Sequence, residues 1–186
     1  GADTLATGYT LSKGIEKIGG AELVFFGRHA VDADSGQVGP IVAEFLGLPH
    51  ASYACGLELE GDGRPQKEGG HLLEEGGRLL VTRLLDRSEE TVRLRLPAVV
   101  TVAAELNVPR YASAPATIWA ATAAITVYDE NDLGCDPARI GALGSPTVVT
   151  GVFAPPAPTG AVRMLTGDSD AAAAEIVGLL ERNKLL

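Results

Sequence analysis

The apolar positions change period twice near the N-terminus. Leu11, Ile15 and Ile18 recur at helical spacing after Asp3, a residue type that caps helices, and Gly19-Gly20 follows as a stop; a helix is expected over about Thr4–Ile18. Leu23–Phe26 is instead a short continuous apolar run of strand formers followed directly by Gly27, the pattern of a parallel strand buried on both faces. Val38, Ile41, Val42 and Phe45 then fall on one face of a helix over Gln37–Leu46. Helix, strand, loop, helix is the order of an α/β domain.

From Ala51 the segments shorten to strand length. Tyr53–Glu60, Arg78–Leu85 and Thr91–Leu96, separated by turn-forming residues, read as an antiparallel hairpin unit. The intervening Gly61–Gly77, rich in Gly and charge, reads as a solvated excursion. Pro97–Val102 is a second buried strand, and Asn107–Tyr111 with Pro115 reads as a loop. A Pro- and Gly-rich tract, Gly141–Gly160, precedes a terminal helix over about Asp170–Asn183, with Ile176, Val177, Leu179 and Leu180 as its apolar stripe.

Composition narrows the function classes. The 186 residues are 46% hydrophobic and 21% charged, a globular balance, and no apolar run reaches the roughly 18 residues of a membrane span, so no membrane insertion is expected. A net charge of -9 without a clustered basic face argues against nucleic acid. The 2 cysteines, Cys55 and Cys135, have neither disulfide-framework nor zinc spacing, which makes a reducing cytoplasm the default location. The opening GADTLATGYTL lacks both an initiator methionine and a secretory pattern, and reads as a fragment.

The segment richest in chemistry is Gly27–Pro40, GRHAVDADSGQVGP. Proline is tolerated only in the first turn of a helix, so Pro40 sets the helix start near Gly36–Gly39. Free helix-start amides beside two glycines form an anion site suited to a phosphate, and Asp32, Asp34 and Ser35 add acceptors for ribose hydroxyls or an adenine amino group. The same residues also read simply as a cap and turn. A calcium loop fails by position, because Gly36, Gln37 and Ala43 stand where an EF-hand needs an Asp or Asn, a Gly and a Glu. No Walker loop, GxGxxG or GxSxG occurs. His50 and His71 read as surface residues, while His29, inside the loop, is open to ligand contact. No side-chain set supports redox chemistry, so electron transfer would require a bound cofactor.

Gly1–Thr7, Gly27–Pro40, Phe45–Pro49 (FLGLP), Leu96–Val102 (LPAVVTV), Asn107–Tyr111 (NVPRY) and Gly144–Thr147 (GSPT) together resemble the beta subunit of electron transfer flavoproteins. The matches are collinear, and the pairing of GRHAVDADSGQVGP with NVPRY is the specific part. The resemblance implies an α/β fold with a parallel sheet of the adenine nucleotide alpha-hydrolase-like type, an antiparallel hairpin unit and an extended C-terminal arm. It implies a domain over residues 1–140 lacking its usual N-terminal strands, and an arm over 141–186 whose terminal helix packs on the alpha subunit.

The resemblance further implies AMP, or a second FAD, held by Gly27, Arg28, Ala30, Asp32, Asp34, Ser35, Gly36, Gln37 and Val38, with a redox-active FAD in the heterodimer. Thr4 and Thr7 match a motif of the bifurcating, second-FAD branch; capping and packing account for them equally. Glu105–Ile118 matches a recognition loop for acyl-CoA-type or other dehydrogenases, with Leu106 as an exposed anchor and Asn107, Pro109, Arg110 and Tyr111 beside it. The lysine-rich stretch usual after that loop is replaced by Ile118–Ala124, and Gly61–Gly77 resembles an insertion. The implied role is that of an electron carrier subunit rather than an enzyme, with an NADH-oxidising bifurcating form left open. An adenine-nucleotide-binding sensor without flavin is the alternative from another class.

Overall fold

A computed structural model describes residues 1–60, 77–157, 162 and 164–185. The excursion expected at Gly61–Gly77, with His71, therefore lies outside the described residues except for Gly77. The elements are α1 (Thr4–Lys17), β1 (Leu23–Gly27), α2 (Val38–Leu46), β2 (His50–Glu60), β3 (Arg78–Leu84), β4 (Glu89–Arg95), β5 (Ala98–Val102), α3 (Ala114–Thr122) and α4 (Ser169–Arg182). Residues 1–148 form one compact unit and 149–186 another.

In the first unit, five strands form one mixed sheet in the order β1-β5-β2-β3-β4. β1, β5 and β2 run parallel, whereas β2, β3 and β4 are antiparallel neighbours. The fold is thus α/β, its parallel part extended by a hairpin whose cross-strand pairs Arg83–Glu90 (2.6 Å) and Arg93–Glu60 (2.7 Å) fasten the exposed side.

Alternation along β5 divides the core. Ala98 and Val100 join Ala51, Ala54, Leu79, Val81 and Leu94 on one face. Thr101 lies on the other, under α2, where Val42 and Ala43 are fully buried. Full burial of Val42 contributes roughly 1.5–3 kcal/mol. Close approach is possible because Gly8 and Gly39 carry no side chain. A Cβ on Gly8 would collide with Ile41, and one on Gly39 would stand 2.5 Å from Thr101 Cγ2.

α1 begins at Asp3, whose Oδ1 accepts from Leu5 N and Ala6 N at 3.0 Å. The same carboxylate accepts from Thr147 N at 3.1 Å, and Asp3 N donates to Ser145 Oγ at 2.8 Å, so the GSPT segment closes on the cap. Further along, Asp136 N donates to the Tyr9 hydroxyl (3.0 Å) and Arg139 lies 4.0 Å over the Tyr9 ring, which itself packs edge-on against Phe45. Polar and cation–π contacts thus hold residues 136–147 on α1.

Two expectations are corrected. β1 is an edge strand among the described residues, not buried on both faces: Phe25 is 52% exposed. Its apolar run therefore does not mark two buried faces: no residue of β1 is fully buried among the described residues. Pro115 does not break structure but lies in the first turn of α3, which Ser113 caps through its Oγ to Ala116 N at 3.4 Å. Proline is favoured there because the first-turn N–H has no helical acceptor.

The second unit contains α4, capped by Asp168, whose Oδ1 accepts from Ala171 N at 2.9 Å. None of its residues is buried within that unit, and Ile176 and Val177 remain half exposed. No helix among the described residues is long and apolar enough to cross a membrane.

Candidate functional site: the loop from β1 to α2

β1 and β5 end side by side in parallel, and the chain leaves both at the same carboxyl edge of the sheet. Ligands of open α/β sheets bind at that edge. β1 delivers Gly27 and the loop to Gln37, and α2 starts at Val38 with Pro40 in its first turn. No side chain caps α2, so its first amides keep their hydrogen-bonding capacity. The helix dipole adds partial positive charge at the same point.

The loop folds in two steps. Asp34 N donates to Ala30 O at 2.9 Å, and Asp34 adopts φ 48. Gly36 follows at φ 61, a conformation that costs glycine nothing and also leaves no side chain over the amides. His29 Nδ1 pairs with Asp34 Oδ1, so the Asp34 carboxylate is engaged within the loop. Asp32 and Ser35 are exposed. Arg28 turns its guanidinium over the Tyr53 ring, 4.9 Å from the centroid, beside a cleft of about 490 Å³ also lined by Leu84, Leu85 and Asp86.

Thr4, at the start of α1, reaches this loop: its Oγ1 donates to Gln37 Oε1 at 2.9 Å. Thr7, half-buried, follows one turn along the same helix. The structure therefore gathers Thr4, Gly36, Gln37 and Val38 around the open start of α2, with Arg28 alongside. Arg28 and Gly36 meet across the loop, since a Cβ on Gly36 would lie 3.2 Å from Arg28 O.

The loop after β5 is a separate feature. A short 3-10 turn, Ala104–Leu106, leads into extended chain up to α3. Leu106 is half-buried rather than exposed; the large apolar side chains in solvent are Val108 and Tyr111, followed on α3 by Ile118 and Trp119. Asn107, Pro109 and Arg110 are exposed. Among the described residues no cluster of His, Cys, Asp or Glu has the arrangement of a metal site.

Residues that the sequence reading missed lie beneath the loop. Tyr53 and Thr101 support it from β2 and β5, and only the bulge in β2 reveals Tyr53 as a neighbour.

The architecture is that of an α/β protein whose β1–α2 loop stands at the carboxyl edge of its sheet. Residues 1–133 match the family described as Electron transfer flavoprotein domain. The chain is 36% identical over 149 residues to the electron transfer flavoprotein subunit beta of Clostridium acetobutylicum, covering 80% of this chain and 51% of that one. It is 35% identical over 167 residues to a protein of Acetobacterium woodii named Caffeyl-CoA reductase-Etf complex subunit CarD, covering 90% and 58%. Against the electron transfer flavoprotein subunit beta of Homo sapiens the identity is 36% over 157 residues, covering 84% and 53%. The chain belongs to the electron transfer flavoprotein family, on the side of its beta subunits. It spans a little over half the length of these relatives.

Proposed function

We propose that this chain holds the adenylate of a nucleotide, as AMP or as part of a second FAD, on Gly27–Val38 within an electron-transferring heterodimer. One observation supports this reading above the others: the start of α2 is left uncapped by side chains, beside a left-handed Gly36. That arrangement fits a phosphate, which the Gln37, Val38 and Gly39 amides would meet with the dipole behind them. Asp32 and Ser35, both exposed, are placed to accept from hydroxyl or amino groups.

The partner in this reading is the alpha subunit, with the redox-active FAD held in the heterodimer; that flavin supplies the electron chemistry when bound. This chain's own residues bind and orient, and break no bond. Val108 and Tyr111 would present an apolar docking surface to acyl-CoA-type or other dehydrogenases, consistent with a relative named for a reductase complex.

The test is chemical. The intact heterodimer is denatured, and the released AMP, ATP and FAD are counted. One AMP and one FAD per heterodimer support the AMP form; two FAD support the bifurcating form. Absence of flavin and of any adenine nucleotide would overturn the proposal, and ATP without flavin would favour a sensor instead.

A further inference from the structure

Tyr53 is the one aromatic residue with a left-handed backbone among the described residues, at φ 63. Side chains branching from a Cβ rarely adopt that conformation, and where they do the surroundings enforce it. Here the cause is visible. Between Ala51 and Ala54, β2 carries one more residue than β5 does opposite it, a bulge that turns Tyr53 out of the ladder. Its N–H donates to Thr101 Oγ1 at 3.1 Å in place of a strand partner.

The strained residue faces both ends of the loop from β1 to α2. Arg28, at the loop's start, lies over the Tyr53 ring at 4.9 Å. Gly36, near its end, leaves room for no more than a Cβ on that side, which would lie at contact distance, 3.6 Å, from the Tyr53 hydroxyl. Thr101 links this support to the helix: it is 2% exposed, its Oγ1 holds Tyr53, and its Cγ2 abuts Gly39 in the first turn of α2. A single strand position thus fixes the ring that carries Arg28 and the helix start that offers the amides.

We infer that Tyr53, locked by Thr101, is a positioning residue for phosphate binding: its ring holds the Arg28 side chain at the start of the loop that leads to the α2 N-terminus. This rests on the nucleotide reading above. The ring face restrains the Arg28 guanidinium through a cation–π contact, and the bulge is what presents that face.

The test uses the intact protein freed of copurifying nucleotide, with AMP and adenosine as probes in calorimetric titration. Tyr53→Gly suits the left-handed backbone while removing the ring, so stability is expected to hold. Tyr53→Asn, also tolerant of that conformation, is the second variant should the first not fold. The expected result is an AMP affinity about tenfold weaker with adenosine affinity unchanged, whereas Tyr53→Phe, which keeps the ring, stays within about twofold of the original. In an Arg28→Ala background, the Tyr53 effect should shrink, because the two act on one contact. A parallel loss for AMP and adenosine, as a purely structural role would give, overturns the inference, as does no loss at all. If the unaltered protein does not prefer AMP to adenosine, the nucleotide reading fails first and takes this inference with it.

Discussion

Thr4 Oγ1 donates to Gln37 Oε1 at 2.9 Å, joining the first residue of α1 to the residue before α2. The bond turns the Gln37 side chain toward α1 and away from its own helix, which carries no side-chain cap. Thr4→Val removes it. Expected are a stability loss of about 0.5–1.5 kcal/mol and a several-fold weaker hold on nucleotide, read by thermal melting and by the nucleotide released on denaturation.

Two glycines of α1 should respond oppositely to alanine. A Cβ at Gly8 collides with Ile41, whereas one at Gly14 meets nothing within 4 Å. Gly8→Ala is expected to destabilise by about 1–3 kcal/mol through overpacking. Gly14→Ala should stabilise by roughly 0.5–1 kcal/mol, since alanine is the better helix former. Chemical denaturation of the two variants side by side checks both signs.

Asp3 links pH to the closure of the 145–147 segment. Its carboxyl is held below the ordinary value of 3.8, first by the Ala6 amide it accepts from, with Thr147 and Leu5 adding to the effect and desolvation opposing it. A depressed folded value means that the stabilisation is complete above 3.8 and is lost as pH falls through the lower folded value. Asp3→Asn keeps an acceptor for the helix amides but turns an NH2 donor on the Thr147 N–H, so it should flatten the pH dependence by lowering the neutral-pH melting temperature toward the acid value. Melting curves at descending pH measure it.

Val108 is 91% and Tyr111 101% exposed, and neither supports the fold. Val108→Asp combined with Tyr111→Ala should leave stability within about 0.5 kcal/mol. Electron transfer to or from a partner dehydrogenase should slow by about tenfold or more, as loss of an interface anchor does, with bound nucleotide unchanged. Stopped-flow reduction of the intact heterodimer tests this.

The elements with strong periodicity were legible in the sequence. Leu11, Ile15 and Ile18 with Gly19-Gly20 gave α1 to within a residue of its observed end, and Pro40 located the start of α2. Pro115 obeys the same rule as Pro40, but no apolar stripe follows it, so α3 read as loop; its exposed Ile118 and Trp119 explain the missing stripe. The LVFF run spoke of burial that the described residues do not supply at Phe25. Thr4 was named by resemblance, yet its bond to Gln37 is a meeting of residues far apart in sequence. Tyr53 left no trace, because a bulge depends on how β2 is registered on β5 and not on any local pattern.

The claim that the α2 start binds phosphate is tested most directly by Gln37→Asp. A carboxylate at that position suits the helix dipole but occupies the anion's place. The expected result is a nucleotide-free melting temperature changed only by the loss of the Thr4 bond, with adenine nucleotide per chain reduced at least about tenfold. Full nucleotide content in the Gln37→Asp protein would contradict the account.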